Sequence, residues 1–123
     1  MPLRSERSAL TWDEAVRSYR LSLQDEGKRR DTLKSSGTSL EQFRAFLVAQ
    51  NRPTDPGRIE RDDVVAFLVD LRVQKRRMPG TIATRSGGLK GFFRRLEDEG
   101  EIDAYPMARM RRPTVPRIPR EVR

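Results

Sequence analysis

Apolar residues recur along the chain at the three- and four-residue spacing of amphipathic helices. The first helix is predicted to begin at Trp12, because Thr11 and Glu14 stand three residues apart and can form a capping box. Gly27 is a typical residue at which such a helix ends. The apolar face of this helix comprises Trp12, Ala15, Val16, Tyr19 and Leu23.

The second helix is predicted less simply, because weak helix formers interrupt its apolar series. In one interpretation a long helix runs from about Asp31 to Ala49. In the other the helix begins late, at a second capping box formed by Thr38 and Glu41. Helix propensity alone favours the late start, and both interpretations stay open. The series itself is Leu33, Leu40, Phe43 and Leu47.

Two further helices are predicted in the second half of the chain. A loop rich in proline and glycine, Asn51 to Arg58, precedes a third helix over about 61–76. Pro79-Gly80 then separates it from a fourth helix over about 81–99. The predicted inward residues are Val64, Val65, Phe67, Leu68 and Leu71 in the third helix, and Ile82, Leu89, Phe92, Phe93 and Leu96 in the fourth.

These patterns predict an all-α fold, a compact four-helix bundle, because no alternating strand pattern is present. The bundle should occupy residues 11–110, with a turn near Tyr105-Pro106 and one more helical turn over 107–110. Residues 1–10 are expected to be a flexible N-terminus. Residues 111–123 contain three prolines and five arginines and are expected to be a basic linker.

The net charge and the absence of certain residue types limit the classes of function that this chain can have. The formal net charge is +8, which favours a polyanionic partner, and nucleic acid is preferred to a membrane surface because no predicted helix is a clean basic amphipath. Cysteine and histidine are both absent, which disfavours metal sites and ordinary hydrolytic chemistry. We therefore expect no cofactor and no metal. No long apolar run or signal-type segment is present, so a cytoplasmic location is expected.

The order and spacing of the helical patterns resemble the core-binding domain of the tyrosine recombinases, the phage-integrase family. In the second helix Thr32, Leu40 and Phe43 match the family pattern, whereas Ser36 replaces its usual aromatic residue. After the fourth helix, Tyr105-Pro106 stands where the family has Asn-Pro, and a basic, proline-bearing stretch follows. The fourth helix matches at Thr81, Ile82, Arg85, Leu89, Phe92, Phe93 and Leu96, and ends at Glu99-Gly100.

The resemblance implies a SAM-like domain that forms one arm of a clamp on duplex DNA. In that family a separate C-terminal domain carries the catalytic tyrosine with its Arg, Lys and His partners. The resemblance thus implies that this chain is not an enzyme by itself and that its parent is a tyrosine recombinase. The implied partners are an attachment core site in duplex DNA, other recombinase subunits and the catalytic domain. Tyr19 lies on an apolar face and is expected to be a core residue.

The candidate DNA contacts form four groups, each with a simpler structural alternative. Lys28, Arg29 and Arg30 would clamp phosphates, or form a solvated charge run. Thr32, Lys34, Ser35 and Thr38 would face the major groove, or mark a weak helix start. Thr81, Thr84 and Arg85 would enter the groove from the fourth helix. Arg109, Arg111 and Arg112 would follow the DNA backbone, or form a basic tail.

The fourth helix is also predicted to have a smooth outer face of small residues that admits another surface, although Gly87-Gly88 could instead serve close helix packing. That face comprises Gly80, Thr84, Gly87, Gly91 and Arg94. Asp62 and Asp63 are interpreted as carboxylates at a helix N-terminus, where they interact favourably with the helix dipole, and not as a pair of metal ligands. Two functions compete with recombination, namely a helical DNA-binding transcription regulator and a basic protein–protein adaptor.

Overall fold

The computed structural model describes residues 10–108, which form four α-helices. These are α1 (Trp12–Asp25), α2 (Arg30–Ala49), α3 (Arg61–Val73) and α4 (Pro79–Asp98), with a 3₁₀ turn at Pro56–Arg58. Within this described range no strand occurs, so the predicted all-α bundle is confirmed. The predicted linker, 111–123, lies outside the described residues, as do positions 1–9 of the predicted N-terminus.

The first helix begins and ends as its sequence predicts. The hydroxyl of Thr11 accepts the Glu14 N–H at 3.1 Å, and the Glu14 carboxylate accepts the Thr11 N–H at 2.9 Å. The hydrogen bond from the Thr11 N–H favours the ionised carboxylate and lowers the pKa of Glu14. Gly27 follows the helix with a left-handed φ of 73°, a conformation that glycine adopts without strain.

The second helix is continuous, so the long interpretation is correct and the late start is wrong. The Thr38 hydroxyl donates to the Lys34 carbonyl at 3.0 Å, and the Ser39 hydroxyl donates to the Ser35 carbonyl at 3.1 Å. Hydroxyls that could cap a new helix therefore bond back to the preceding turn of the same helix. Leu33, which a late start would leave outside the helix, packs against the core. Burial of the apolar face outweighs the weak local propensity.

The boundaries of α3 and α4 differ from the prediction near residues 74–80. The third helix ends at Val73, three residues early, because Arg76 adopts a left-handed φ of 53° and the Arg77 N–H turns back to the Leu71 carbonyl at 2.8 Å. Pro79 does not separate the helices but is the first residue of α4. The first helical position needs no N–H partner, so proline is well tolerated there.

Aromatic rings from all four helices form the centre of the core. Phe43 of α2 packs edge-on against Phe67 of α3 and Phe93 of α4, with ring centroids 5.2 and 6.2 Å apart. Trp12 of α1 stacks at a tilt on Phe92, at 5.2 Å. All predicted inward residues are buried except four that are only partly buried, and these are Val16, Leu33, Val65 and Leu68. At the end of the bundle, Pro106 and Met107 are buried. Of the helical turn predicted over 107–110, the last two positions lie outside the described residues.

The predicted smooth face of α4 is wrong at one position. A Cβ at Gly91 would lie 2.7 Å from the Tyr19 hydroxyl, so Gly91 faces α1 and admits a buried ring. Gly80 and Gly87 have nothing within 4 Å of such a Cβ and do lie on an open surface. The alternative of close packing is correct for Gly88, whose Cβ would meet Ser39.

Candidate nucleic-acid interface

Helices α2 and α4 approach each other closely where Ser39 meets Gly88. A Cβ at Gly88 would lie 2.7 Å from both the Cβ and the Oγ of Ser39, closer than real side-chain contacts allow. Ser39 is completely buried. A small residue on one helix and a glycine on the other therefore let the two backbones approach closely, and this contact fixes how the N-terminal halves of the helices lie relative to one another.

The N-terminal halves of α2 and α4 line one open groove of about 330 Å³. Six of the residues that the sequence predicts as DNA contacts lie in it, although α2 and α4 contribute them from distant parts of the sequence. Thr32 is exposed on α2 but does not line the groove. Asp31 lines it as well and was not predicted. The six are Lys34, Ser35, Thr38, Thr81, Thr84 and Arg85.

The threonine hydroxyls of the groove are oriented by their own helices. Thr38 donates to the Lys34 carbonyl and Thr84 to the Gly80 carbonyl, each at 3.0 Å. Since each hydroxyl proton is used within the helix, the oxygen lone pairs remain as acceptors on the outer side. Thr84 is exposed and Thr38 is partly buried. The groove thus presents hydrogen-bond acceptors beside the donors of Lys34.

Arg85 of α4 is held by hydrogen bonds to two side chains of α2, which the sequence did not predict. Its Nε donates to the Gln42 amide oxygen at 3.1 Å, and one Nη lies 3.4 Å from the Ser39 hydroxyl oxygen. The side chain is partly buried and lines the groove at the same time. Gln42 was not among the predicted site residues, because nothing in its sequence context distinguishes it from other polar positions of α2.

The two groove helices begin differently from the other two. In α1 and α3 an acidic side chain accepts a backbone N–H at the N-terminus, with Asp63 accepting the Glu60 N–H at 2.8 Å in α3. Neither α2 nor α4 has a side-chain cap. The positive end of the helix dipole lies at each N-terminus and attracts anions. At the start of α2 and α4 no side-chain cap occupies this position, so it stays open to an anionic ligand.

Each groove helix has a run of three exposed cations at or just before its N-terminus. Lys28, Arg29 and Arg30 were predicted to contact phosphates, and their side chains are exposed at the start of α2. Lys75, Arg76 and Arg77 stand in the equivalent place before α4. The sequence prediction missed this second run because it extended the third helix to Arg76, although the repeated pattern of three cations before a groove helix was a usable signal. The predicted contacts Arg109, Arg111 and Arg112 lie outside the described residues.

Asp63 and the two tyrosines make contacts that stabilise the fold. Asp63 accepts a hydrogen bond from Arg52 at 2.8 Å, and residues 10–108 contain no group of three His, Cys, Asp or Glu side chains that could hold a metal ion. Tyr19 is buried, as predicted, and burial raises the pKa of its hydroxyl. Burial also raises the pKa of Tyr105, whose ring lies 5.0 Å below the Arg94 guanidinium.

A second groove lies between α1 and α2, on another side of α2. It is lined by apolar residues together with charged ones of both signs, including Arg17, Arg20, Glu41 and Arg44. These positive and negative charges partly offset each other. Charge alone does not distinguish it from the α2–α4 groove, where Asp31 lies beside Lys34 and Arg85, so the assignment of the α2–α4 groove depends on its predicted contact residues.

Sequence comparisons connect this geometry to known proteins. The chain is 33% identical over 94 residues to the tyrosine recombinase XerC of Herpetosiphon aurantiacus, covering 76% of this chain and 30% of the relative. It is 36% identical over 110 residues to XerC of Roseiflexus castenholzii, covering 88% of this chain and 34% of the relative. The chain is homologous to the tyrosine recombinases.

A third relative, the tyrosine recombinase XerD of Listeria monocytogenes, is 28% identical over 89 residues, which is 72% of this chain and 30% of that protein. The family resemblance expected from the sequence is therefore confirmed. The chain spans about a third of the length of these recombinases. No family model matches the sequence, and no solved structure matches it. Within the described part of the chain, no helix is both long and apolar enough to cross a membrane.

Proposed function

We propose that this chain binds double-stranded DNA at a recombination core site through the groove between α2 and α4. In this proposal it is the N-terminal part of a phage-type integrase, a tyrosine recombinase that integrates or excises DNA. The observation that carries the proposal is that six predicted contact residues from two distant segments line one groove. Homology to tyrosine recombinases supports the same assignment.

The chemistry of the groove suits duplex DNA. A major groove about 12 Å wide admits an α-helix, and small hydroxyl side chains such as Thr38 and Thr84 let the helix backbone approach the base edges. The cations before α2 and α4 would contact phosphates, which position a protein without reading sequence. Arg85 and Lys34 would donate hydrogen bonds to acceptor atoms on the base edges.

Salt dependence tests whether DNA is the partner. If about four phosphates are neutralised, the log–log slope of affinity against salt should be near −3.6. Lys34→Ala should reduce that slope by about one, because Lys34 lines the groove. Arg44→Ala is the matched control, because it removes an equal charge from α2 in the other groove. A flat salt titration of the wild-type chain would exclude DNA and favour a protein–protein adaptor.

Base discrimination tests whether the groove reads sequence. Thr84→Ala should leave the fold intact, because alanine is the better helix former and Thr84 is exposed. It should lower discrimination between the preferred and random duplexes by about 1 kcal/mol. Unchanged discrimination with an intact fold would show that this face of α4 does not contact bases.

We further propose that the chain contributes binding and not strand cleavage. Neither tyrosine of the described residues is placed as an activated nucleophile, since burial raises the pKa of both Tyr19 and Tyr105. A suicide duplex incubated with this chain alone should therefore yield no covalent complex. A covalent band that disappears in Tyr19→Phe or Tyr105→Phe would overturn this assignment. The proposed further partners are recombinase subunits and a catalytic domain, acting together in the cytoplasm.

A further inference from the structure

Three arginines of residues 10–108 are partly buried, and their partners differ in charge. The Arg52 guanidinium donates to the carboxylate of Asp63 at 2.8 Å, with 29% of its side chain exposed. Arg95, 31% exposed, forms an ion pair with Glu26. Arg85 has no carboxylate within ion-pair distance among the described residues, so it is the one of these three arginines without an ion pair. Asp31 lines the same groove but does not pair with it.

Uncharged oxygen atoms hold Arg85 instead. The Gln42 amide oxygen accepts from Nε at 3.1 Å, and the Ser39 hydroxyl oxygen accepts from one Nη at 3.4 Å. The Ser39 hydroxyl proton is already donated to the Ser35 carbonyl, so its oxygen acts toward Arg85 as an acceptor. These contacts fix the direction of the guanidinium without neutralising it.

Such an arrangement favours a ligand that accepts hydrogen bonds from a fixed cation. A guanidinium has five N–H donors, and two of these are used by Gln42 and Ser39, which leaves three for the groove. Removing a charge from water is costly unless a partner compensates it. Guanine offers two neighbouring acceptors, O6 and N7, on the edge that faces the major groove, and arginine is its commonest specific partner.

We propose that Arg85 reads a guanine in the major groove, and that Gln42 is the positioning residue that orients Arg85 while leaving its charge unpaired. The inference rests on the proposed function, since it requires duplex DNA in the α2–α4 groove. It makes Gln42 a determinant of base specificity although Gln42 itself touches no base.

The two roles of Gln42 separate in two substitutions. Gln42→Glu keeps the shape and the acceptor oxygen but places a carboxylate beside Arg85, so it should hold the guanidinium at least as firmly and neutralise it. Gln42→Ala removes the oriented acceptor and leaves the charge. If Gln42 had only a structural role, Gln42→Glu would keep its full base discrimination. Our proposal predicts instead that Gln42→Glu loses base discrimination.

The experiment is selection from a duplex library with a randomised central segment, using the full 123-residue chain, followed by sequencing of the bound fraction. The wild-type chain should enrich a sequence that contains a guanine, and Arg85→Ala should lower the preference for it on the order of tenfold. Gln42→Glu should lower the same preference by a similar factor while its melting temperature is unchanged or higher. Gln42→Ala should cause a smaller loss at the same base pair.

Gln24→Glu is the matched control, since it makes the same substitution on α1, in the other groove. It should retain the guanine preference even if the added negative charge weakens binding to all duplexes alike. Retention of the preference in Gln42→Glu would overturn the inference, as would wild-type binding without any enriched guanine, and both results would leave DNA as the partner. Absence of salt-dependent duplex binding in the wild-type chain would instead overturn the proposed function and the inference together.

Discussion

Two adjacent glycines of α4 should respond in opposite ways to the same substitution. Gly88 lies against Ser39 of α2, where a new Cβ would be 2.7 Å from both the Cβ and the Oγ of Ser39. Gly87 is exposed, and a Cβ there would meet nothing within 4 Å. Gly88→Ala and Gly87→Ala thus add the same methyl group to the same helix, once into a tight contact and once into solvent.

The two magnitudes follow from helix propensity and packing. Alanine is about 1 kcal/mol better than glycine inside a helix, and Gly87→Ala should gain up to that amount. Gly88→Ala gains the same propensity but overpacks the crossing, at a typical cost of about 1–3 kcal/mol. The Cβ of Ser39 cannot rotate away, because it is attached directly to the backbone of α2. The variants should therefore differ by about 1–3 kcal/mol, with Gly88→Ala the less stable.

Thermal melting followed by circular dichroism measures this difference. For a domain of this size, 1 kcal/mol corresponds to about 4–8 °C in melting temperature. Ser39→Gly removes the opposing Cβ, so combining it with Gly88→Ala should recover stability beyond the sum of the single changes. If Gly88→Ala melts as high as Gly87→Ala, the close crossing of α2 and α4 is refuted, and with it the geometry that holds the groove.

The remaining predictions concern other contacts of the bundle. Gly91→Ala should destabilise the wild-type chain, because its Cβ meets the Tyr19 hydroxyl at 2.7 Å, but should be tolerated in a Tyr19→Phe background when melting temperatures are compared. Asp63→Ala should cost about 1–3 kcal/mol in denaturant unfolding, because it leaves the Glu60 N–H without its acceptor and the Arg52 guanidinium with only its longer contact to Asp62, at 3.4 Å. Asp62→Ala, whose side chain is 85% exposed, should cost less than about 0.5 kcal/mol. Since the folded-state pKa of Glu14 is lowered, its ionised carboxylate stabilises the fold above the ordinary value of 4.5, and this contribution disappears as the pH falls through the folded-state pKa. The stability difference between wild type and Glu14→Gln should therefore shrink below about pH 4.5, and a pH-independent difference would contradict the capping contact.

The sequence by itself determined the features that depend on interactions between residues close together in the chain. Apolar spacing predicted four helices and most of the core, because one helical face must leave water wherever it occurs. The capping box of Thr11 and Glu14 set the first boundary, since both hydrogen bonds form within four residues. The prediction of the contact residues in α2 and α4 came from the family resemblance as well as from their polar character.

Tertiary structure decided what depends on residues distant in the chain. Propensity favoured a late start for α2, yet burial of Leu33 and the following residues against the core extends the helix to Arg30. Gly87, Gly88 and Gly91 are equivalent in sequence terms, but one faces solvent, one meets α2 and one meets α1. The neutral partners that fix Arg85 come from a helix more than 40 residues away, at Ser39 and Gln42. Contacts across such separations depend on how helices pack, and no local pattern of hydrophobic and polar residues encodes that packing.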